Sequence, residues 1–77
     1  MIRELDLVVL THDLDECNLK SGDIGTVVHC YHNNKGFEIE FATAEGNTLA
    51  VLTLDRSDIR PFDHTEILHS RELPLAV

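Results

Sequence analysis

Turn-forming residues interrupt this chain every few positions, and that spacing limits what the chain can fold into. Between the turns lie short segments rich in valine, isoleucine, leucine, phenylalanine and threonine, of which the branched and aromatic types favour strands. The segments are short enough for strands and too short for ordinary helices. The pattern therefore predicts five strands, over residues 5–11, 24–32, 37–41, 48–54 and 60–62.

The third of these segments alternates strictly between apolar and acidic residues. Phe37, Ile39 and Phe41 are separated by Glu38 and Glu40. Because successive strand residues point to opposite faces, the three large apolar side chains are expected in the core and the two carboxylates in water.

Two hairpin turns are predicted at residues 33–36 and 44–47, where asparagine and glycine tolerate left-handed backbone angles. Gly22 indicates a further turn with a positive φ. Gly25, inside the second segment, indicates a bulge or the close approach of another backbone.

The segment before the last strand is expected to form one tight 3-10 turn at residues 57–59, with Ser57 or Asp58 as its N-cap. Pro61 cannot donate a hydrogen bond to a neighbouring strand, so the last strand is expected at an edge. Phe62 is expected to complete the core.

Five short strands with tight turns indicate an all-β fold, a small and strongly bent antiparallel barrel. We predict the barrel over residues 1–62 and a C-terminal tail over residues 63–77. Within the tail, residues 65–73 are expected to form one or two helical turns that Pro74 would end. The tail carries a partial apolar stripe of Ile67, Leu68 and Leu73.

Charge excludes whole classes of function. Lysine and arginine number 6 against 14 aspartates and glutamates, for a formal net charge of −8. Nucleic acids would be repelled by this field, whereas a basic protein would be attracted. No apolar run approaches the roughly 20 residues that span a bilayer, and no secretory leader pattern opens the sequence, so we expect a cytoplasmic protein.

The cysteines and histidines do not follow a metal-binding pattern. Cys17 and Cys30 are expected to remain thiols. His29, Cys30 and His32 lie close together, with His12 and Cys17 earlier, but the paired knuckles of a zinc site are missing. No helix precedes either cysteine to lower its pKa for catalysis. We therefore expect no enzymatic activity, no metal and no cofactor, and we rank a metal or redox role for these residues last.

Several motifs together resemble one protein family. The run from Leu19 to Val28 follows the pattern L-x-x-G-D-x-G-T-V-V, and residues 6–14 follow D-x-V-x-L-x-x-D-L. Residues 38–41, 46–54 and 59–61 are similar to E-V-E-F, G-x-T-x-A-x-x-T-L and L-R-P. Over about residues 5–62 the chain thus resembles the small bacterial and cyanobacterial family of domain of unknown function 4926.

That resemblance implies an SH3-like barrel, because the Gly-Asp-x-Gly-Thr-Val stretch is also similar to the turn and strand of such barrels. The family has no established activity, so it implies no catalytic residues. Its members tend to stand alone, and some are expected to be encoded beside a partner gene. The tail after Phe62 departs from the family pattern.

These observations favour a non-enzymatic protein–protein interaction module that binds, and restrains, a basic partner from a neighbouring gene. The alternative is an accessory subunit that packs on an enzyme through the apolar tail residues, Ile67, Leu68, Leu73, Leu75 and Val77. Open edge strands would also permit a homodimer. The residues expected to bind the basic partner are exposed carboxylates, namely Asp13, Asp15, Glu16, Glu38, Glu40 and Glu45.

Overall fold

Five antiparallel strands form a single sheet in the computed structural model, which describes residues 2–32 and 35–73. This confirms the all-β prediction. No helix among the described residues is both long enough and apolar enough to cross a membrane. The strands are β1 (Leu7–Leu10), β2 (Ile24–Cys30), β3 (Phe37–Ala42), β4 (Thr48–Leu54) and β5 (Ile59–Pro61).

The sheet is curled. Its order, β4-β3-β2-β1-β5, puts β4 and β5 at opposite edges, which a flat sheet would separate by about 19 Å. Yet Asp58 N–H donates to the carbonyl of Asp55 at 3.0 Å, and such a turn holds its end residues within about 7 Å. No pairing joins β4 to β5 in the described part of the chain, so the curled sheet is not closed into a complete barrel.

The core lies on the inner face of this curl. Phe37, Ile39 and Phe41 are buried and alternate with half-buried residues along β3, as the sequence predicts. Each of the five strands contributes to the same cluster, together with one loop residue. The buried members are Val8, Leu10, Leu19, Val27, Phe37, Ile39, Phe41, Leu54 and Ile59.

Gly25 marks a close approach between β2 and β3. A Cβ atom at this position would lie 2.5 Å from Ile39 Cγ2 and 2.9 Å from Phe41 Cε1. The predicted close approach is confirmed, although side chains crowd the site more than backbone does. The irregularity in the β2–β3 pairing lies between Val27 and His29 rather than at Gly25.

The predicted turns are present where the structure describes them. Gly22 has a φ of +97°. The hairpin over residues 44–47 is closed by the N–H of Thr43, which donates to the carbonyl of Asn47 at 2.9 Å. The hairpin predicted at residues 33–36 includes Asn33 and Asn34, which lie outside the described residues.

Strand β1 is shorter than predicted. Leu5 has a φ of +73°, a left-handed angle that a strand residue does not adopt, so the strand begins only at Leu7. Asp6 N–H donates to the carbonyl of Arg3 at 3.1 Å, which makes the preceding residues a turn.

The short helical element also lies elsewhere than expected. The 3-10 helix spans Asp15–Cys17, between β1 and β2. The turn before β5 is present, but it is a plain hydrogen-bonded turn. Two carboxylates accept hydrogen bonds within it: Asp55 accepts the N–H of Ser57 at 2.8 Å and also its hydroxyl, and Asp58 accepts the N–H of Asp55 at 3.1 Å.

Phe62 and the tail differ from the predictions as well. Phe62 is half-buried and does not belong to the core cluster. Its N–H donates to the carbonyl of Leu7 and continues the β1–β5 pairing, so alternation from the buried Ile59 assigns Phe62 to the outer face. The described tail contains no helix, and Ile67 is 93% exposed. Residues 63–66 instead form a turn, in which the N–H of Glu66 donates to the carbonyl of Asp63 at 2.9 Å.

Candidate functional site

An open groove of about 500 Å³ lies between the 3-10 helix and β4. One wall is the loop from Asp13 to Cys17, and the other is Leu52–Leu54. Its volume falls in the range of ordinary ligand sites, although it is shallow and open to solvent. We call this feature the acidic groove.

The loop wall is folded by its own backbone. Cys17 N–H donates to the carbonyl of Leu14 at 3.0 Å, and Asn18, in a left-handed conformation, donates to Asp15. Leu14 also pairs with Leu19, and its side chain packs against the core. These contacts anchor the loop and leave its acidic side chains at the rim.

Charge at the rim is negative and only partly balanced. Lys20 Nζ lies 3.2 Å from Asp15 Oδ1 and 3.9 Å from Asp13 Oδ2. Asp13 also stabilises the loop, because its carboxylate accepts the N–H of Ser21 at 2.8 Å. Asp15 remains 82% exposed despite its pairing with Lys20, and Glu16 is exposed, so a ligand can reach both carboxylates.

The floor of the groove is apolar. Leu14 and Leu52 are half-buried and pack against the core, and Leu54 belongs to the core itself. A carboxylate rim above an apolar floor suits a lysine or arginine side chain, whose aliphatic stem covers apolar surface while its charged end stays in water.

Of the other predicted carboxylates, Glu38 lies at the edge of the groove. It accepts the hydroxyl of Thr53, and Thr53 lines the groove. Glu40 lies further along the same outer face and accepts the hydroxyl of Thr48 at 2.5 Å. Glu45 is exposed in the β3–β4 hairpin, at the end of β4 away from the groove. The structure therefore brings three of the six predicted residues together in the groove, Asp13, Asp15 and Glu16, and Glu38 reaches it only through its bond to Thr53.

The cysteines and histidines are dispersed. Cys17 is exposed on the groove wall, while Cys30 packs against the core opposite Phe37, and no disulfide joins the two. Burial raises the pKa of the Cys30 thiol, with Glu4 and Asp6 adding to the effect. Among residues 2–32 and 35–73, no three His, Cys, Asp or Glu side chains are grouped to hold a metal ion.

Residues 4–61 match a family model described as Domain of unknown function (DUF4926). The chain belongs to this family. The match confirms the resemblance seen in the sequence, whereas the SH3-like barrel and the bacterial origin that the resemblance implied stay predictions. No curated protein and no solved structure matches the chain.

The DUF4926 match contains all five strands and both walls of the acidic groove. It also contains a contact that sequence reasoning missed, because the partners are 46 positions apart. His12 Nε2 lies 2.7 Å from Asp58 Oδ1. This hydrogen bond, and a second one with the carbonyl of Asp13, raise the pKa of His12.

The tail lies beyond the DUF4926 match and forms a second groove, also of about 500 Å³. Phe41 and Leu49 of the sheet and Leu68 and Leu73 of the tail line it. Arg71 fixes the tail there by pairing with Asp23, another long-range contact that the sequence pattern does not reveal.

Proposed function

We propose that this DUF4926 protein is a non-enzymatic interaction module that holds a basic protein partner in its acidic groove. The observation that supports this is the combination of exposed carboxylates on Asp15 and Glu16 with the apolar floor at Leu14 and Leu52. Lysine and arginine side chains fit both parts of that surface.

The charge of the whole chain supports the same partner. A net charge of −8 attracts a cationic protein over a distance of about 10 Å at ordinary ionic strength and speeds encounter. Because the rim carboxylates are exposed, this attraction is weakened by salt. A partner bound through its cationic side chains has those side chains covered for as long as the complex lasts. Such binding suits a module that restrains the product of a neighbouring gene in the cytoplasm.

The test compares capture of proteins from the native host by three forms of the chain at low and high salt. The double variant Asp15→Asn, Glu16→Gln removes two exposed rim charges and keeps Asp13, whose carboxylate accepts the N–H of Ser21. Glu45→Gln removes a carboxylate outside the groove. We expect a basic protein to be captured by the wild type and by Glu45→Gln, and lost from the double variant and at high salt. Equal capture by all three forms, or capture of only acidic proteins, would contradict the proposal.

Exposed apolar residues on the tail support a second candidate, an accessory subunit that docks on an enzyme. Ile67 is 93% exposed and Leu68 is 66% exposed, side by side on the described tail. Leu75 and Val77, which belong to the same prediction, lie outside the described residues. The double variant Ile67→Ser, Leu68→Ser leaves Arg71 in place, and loss of capture in this variant alone would favour the tail.

A further inference from the structure

The outer edge of β4 is open. β4 pairs with β3 along one side, and within residues 2–32 and 35–73 no strand pairs with the other. Proteins usually block such edges with charged residues, proline or short strands, because free backbone N–H and C=O groups pair with strands of other chains. Thr48–Leu54 is seven residues long and contains neither a charged residue nor a proline.

The opposite edge of the sheet is protected in the usual way. β5 has only three residues, and one of them is Pro61. Proline lacks the N–H that a paired strand needs. An added strand therefore fits at β4 and not at β5.

The acidic groove runs along the free edge of β4. Leu52, Thr53 and Leu54 all line it, although consecutive strand residues point to opposite faces. A cavity that touches all three must reach the strand from the side. Since β3 occupies one side, the groove lies along the other, where backbone groups point outward.

The facing wall does not use those backbone groups. In the loop over residues 13–17, Cys17 N–H donates to Leu14, and the next residue, Asn18, donates to Asp15. Among the described residues, no backbone hydrogen bond joins this wall to β4. The groove thus separates the free edge of β4 from a loop that forms no backbone hydrogen bond with it among the described residues.

Charge decides which kind of chain fits there. Asp15 and Glu16 lie on the facing wall, and Glu38 and Glu40 lie on the outer face of the adjacent strand, bonded to threonines of β4. A second copy of this chain would bring the same carboxylates and its own net charge of −8 to the contact. A cationic segment is attracted from both sides of the edge.

We propose that the free edge of β4 takes up an extended, lysine- or arginine-rich segment of the partner as a sixth strand. This rests on the proposed function and specifies how the basic partner is held. Backbone hydrogen bonds to β4 provide the pairing, while Asp15 and Glu16 select cationic side chains.

The test uses two capped heptapeptides of equal charge. One alternates lysine with valine, and the other has the same sequence with every backbone nitrogen methylated, which keeps every charge and side chain but removes the N–H groups that strand pairing needs. We expect the lysine–valine peptide to bind at least tenfold more tightly and to slow hydrogen exchange at alternate backbone amides of β4. The double variant Asp15→Asn, Glu16→Gln should weaken that binding, and Glu45→Gln should not.

Equal binding of the two peptides, with dependence on Asp15 and Glu16, would overturn strand addition while leaving the proposed function standing. Absence of binding by the lysine–valine peptide would also overturn strand addition. The proposed function would still be tested separately by the capture experiment. Protection of β4 amides that increases with protein concentration, without peptide, would show that a second copy occupies the edge and would also overturn it.

Discussion

Asp23 and Arg71 are joined by two parallel hydrogen bonds across 48 positions of the sequence. Arg71 Nε donates to Asp23 Oδ1 at 2.8 Å and Nη2 donates to Oδ2, while Nη2 also donates to the carbonyl of Asn18 at 2.8 Å. Both side chains are largely buried at this contact. The tail is therefore fixed to the loop before β2, and the fold extends beyond the family match.

Replacing Arg71 with alanine should lower the free energy of unfolding by about 2 kcal/mol, because it leaves a partly buried carboxylate without its partner. Arg71→Lys should cost less, since lysine keeps the charge but lacks the two-pronged geometry. Urea unfolding of the three proteins measures this. If Arg71→Ala matched the wild type, the pair would contribute nothing to stability.

The cost of losing Arg71 should depend on pH. Burial, the largest single influence, raises the pKa of Asp23, but the hydrogen bonds from Arg71 and from the N–H of Lys20 outweigh it, and the net shift is downward. A carboxyl group with a lowered folded pKa stabilises the protein above its ordinary pKa of 3.8 and loses that effect as the pH falls through the folded value. The stability difference between wild type and Arg71→Ala should thus shrink below about pH 4.

His12 should make stability depend on pH in the opposite direction. Its pKa is raised by the hydrogen bond with Asp58, so the folded state favours the charged ring. The stabilisation is complete below the ordinary pKa of 6.5 and is lost as the pH rises through the raised folded value.

Melting temperatures between about pH 6 and pH 8 check this expectation. The wild type should exceed His12→Gln most at the acidic end, and the two should converge at the alkaline end. His64→Gln is the matched control, because His64 is exposed in the tail. A constant difference between wild type and His12→Gln would show that titration of His12 does not couple to folding.

The sequence pattern predicted those parts of the fold that depend on residues adjacent in the chain. The alternation along β3 and the glycine turns at Gly22 and in the 44–47 hairpin are set by neighbouring residues, and all are present. The predicted start of β1 is two residues too early. Leu5 has a left-handed backbone angle, and because leucine usually avoids that angle, the residue type does not indicate it.

The site was predictable in its chemistry but not in its geometry. Acidic residues at 13–16 are evident in the sequence, yet their position opposite Leu52–Leu54 depends on the curl of the whole sheet. The same reason hides the pairs His12–Asp58 and Asp23–Arg71, whose partners come together only when the strands are assembled. The predicted tail helix is absent: residues 63–66 form a turn at which Glu66 bonds to Arg60, and Arg71 bonds to Asp23 on the loop before β2.

Gly25→Ala should destabilise the protein by about 1–3 kcal/mol through overpacking, because the new methyl group would lie 2.5 Å from Ile39 Cγ2 and 3.1 Å from the carbonyl of Glu40. Gly22→Ala is the informative comparison. Nothing lies within 4 Å of a Cβ atom there, so its cost is conformational only, about 1–2 kcal/mol for the left-handed angle. Urea unfolding separates the two causes. If crowding is the cause at position 25, serine should lower the free energy of unfolding further than alanine does there, but not at position 22. Equal tolerance of serine at both positions would contradict crowding at Gly25.

Removing Lys20 should strengthen the binding of a basic ligand. Lys20 Nζ is 3.2 Å from Asp15 Oδ1, so it neutralises part of the rim and competes with any incoming cation. Lys20→Gln should raise the affinity for the lysine–valine heptapeptide by about threefold at low salt, a gain on the scale of one exposed ion pair that salt should abolish. The backbone N–H of Lys20, which donates to Asp23 at 2.9 Å, is unaffected by the substitution. Arg3→Gln is the matched control, because it removes the same charge from a residue that precedes β1, at the opposite end of that strand from the loop that forms the groove wall. An equal gain in affinity in both variants would mean that only the net charge matters. That result would contradict the acidic groove as the binding surface.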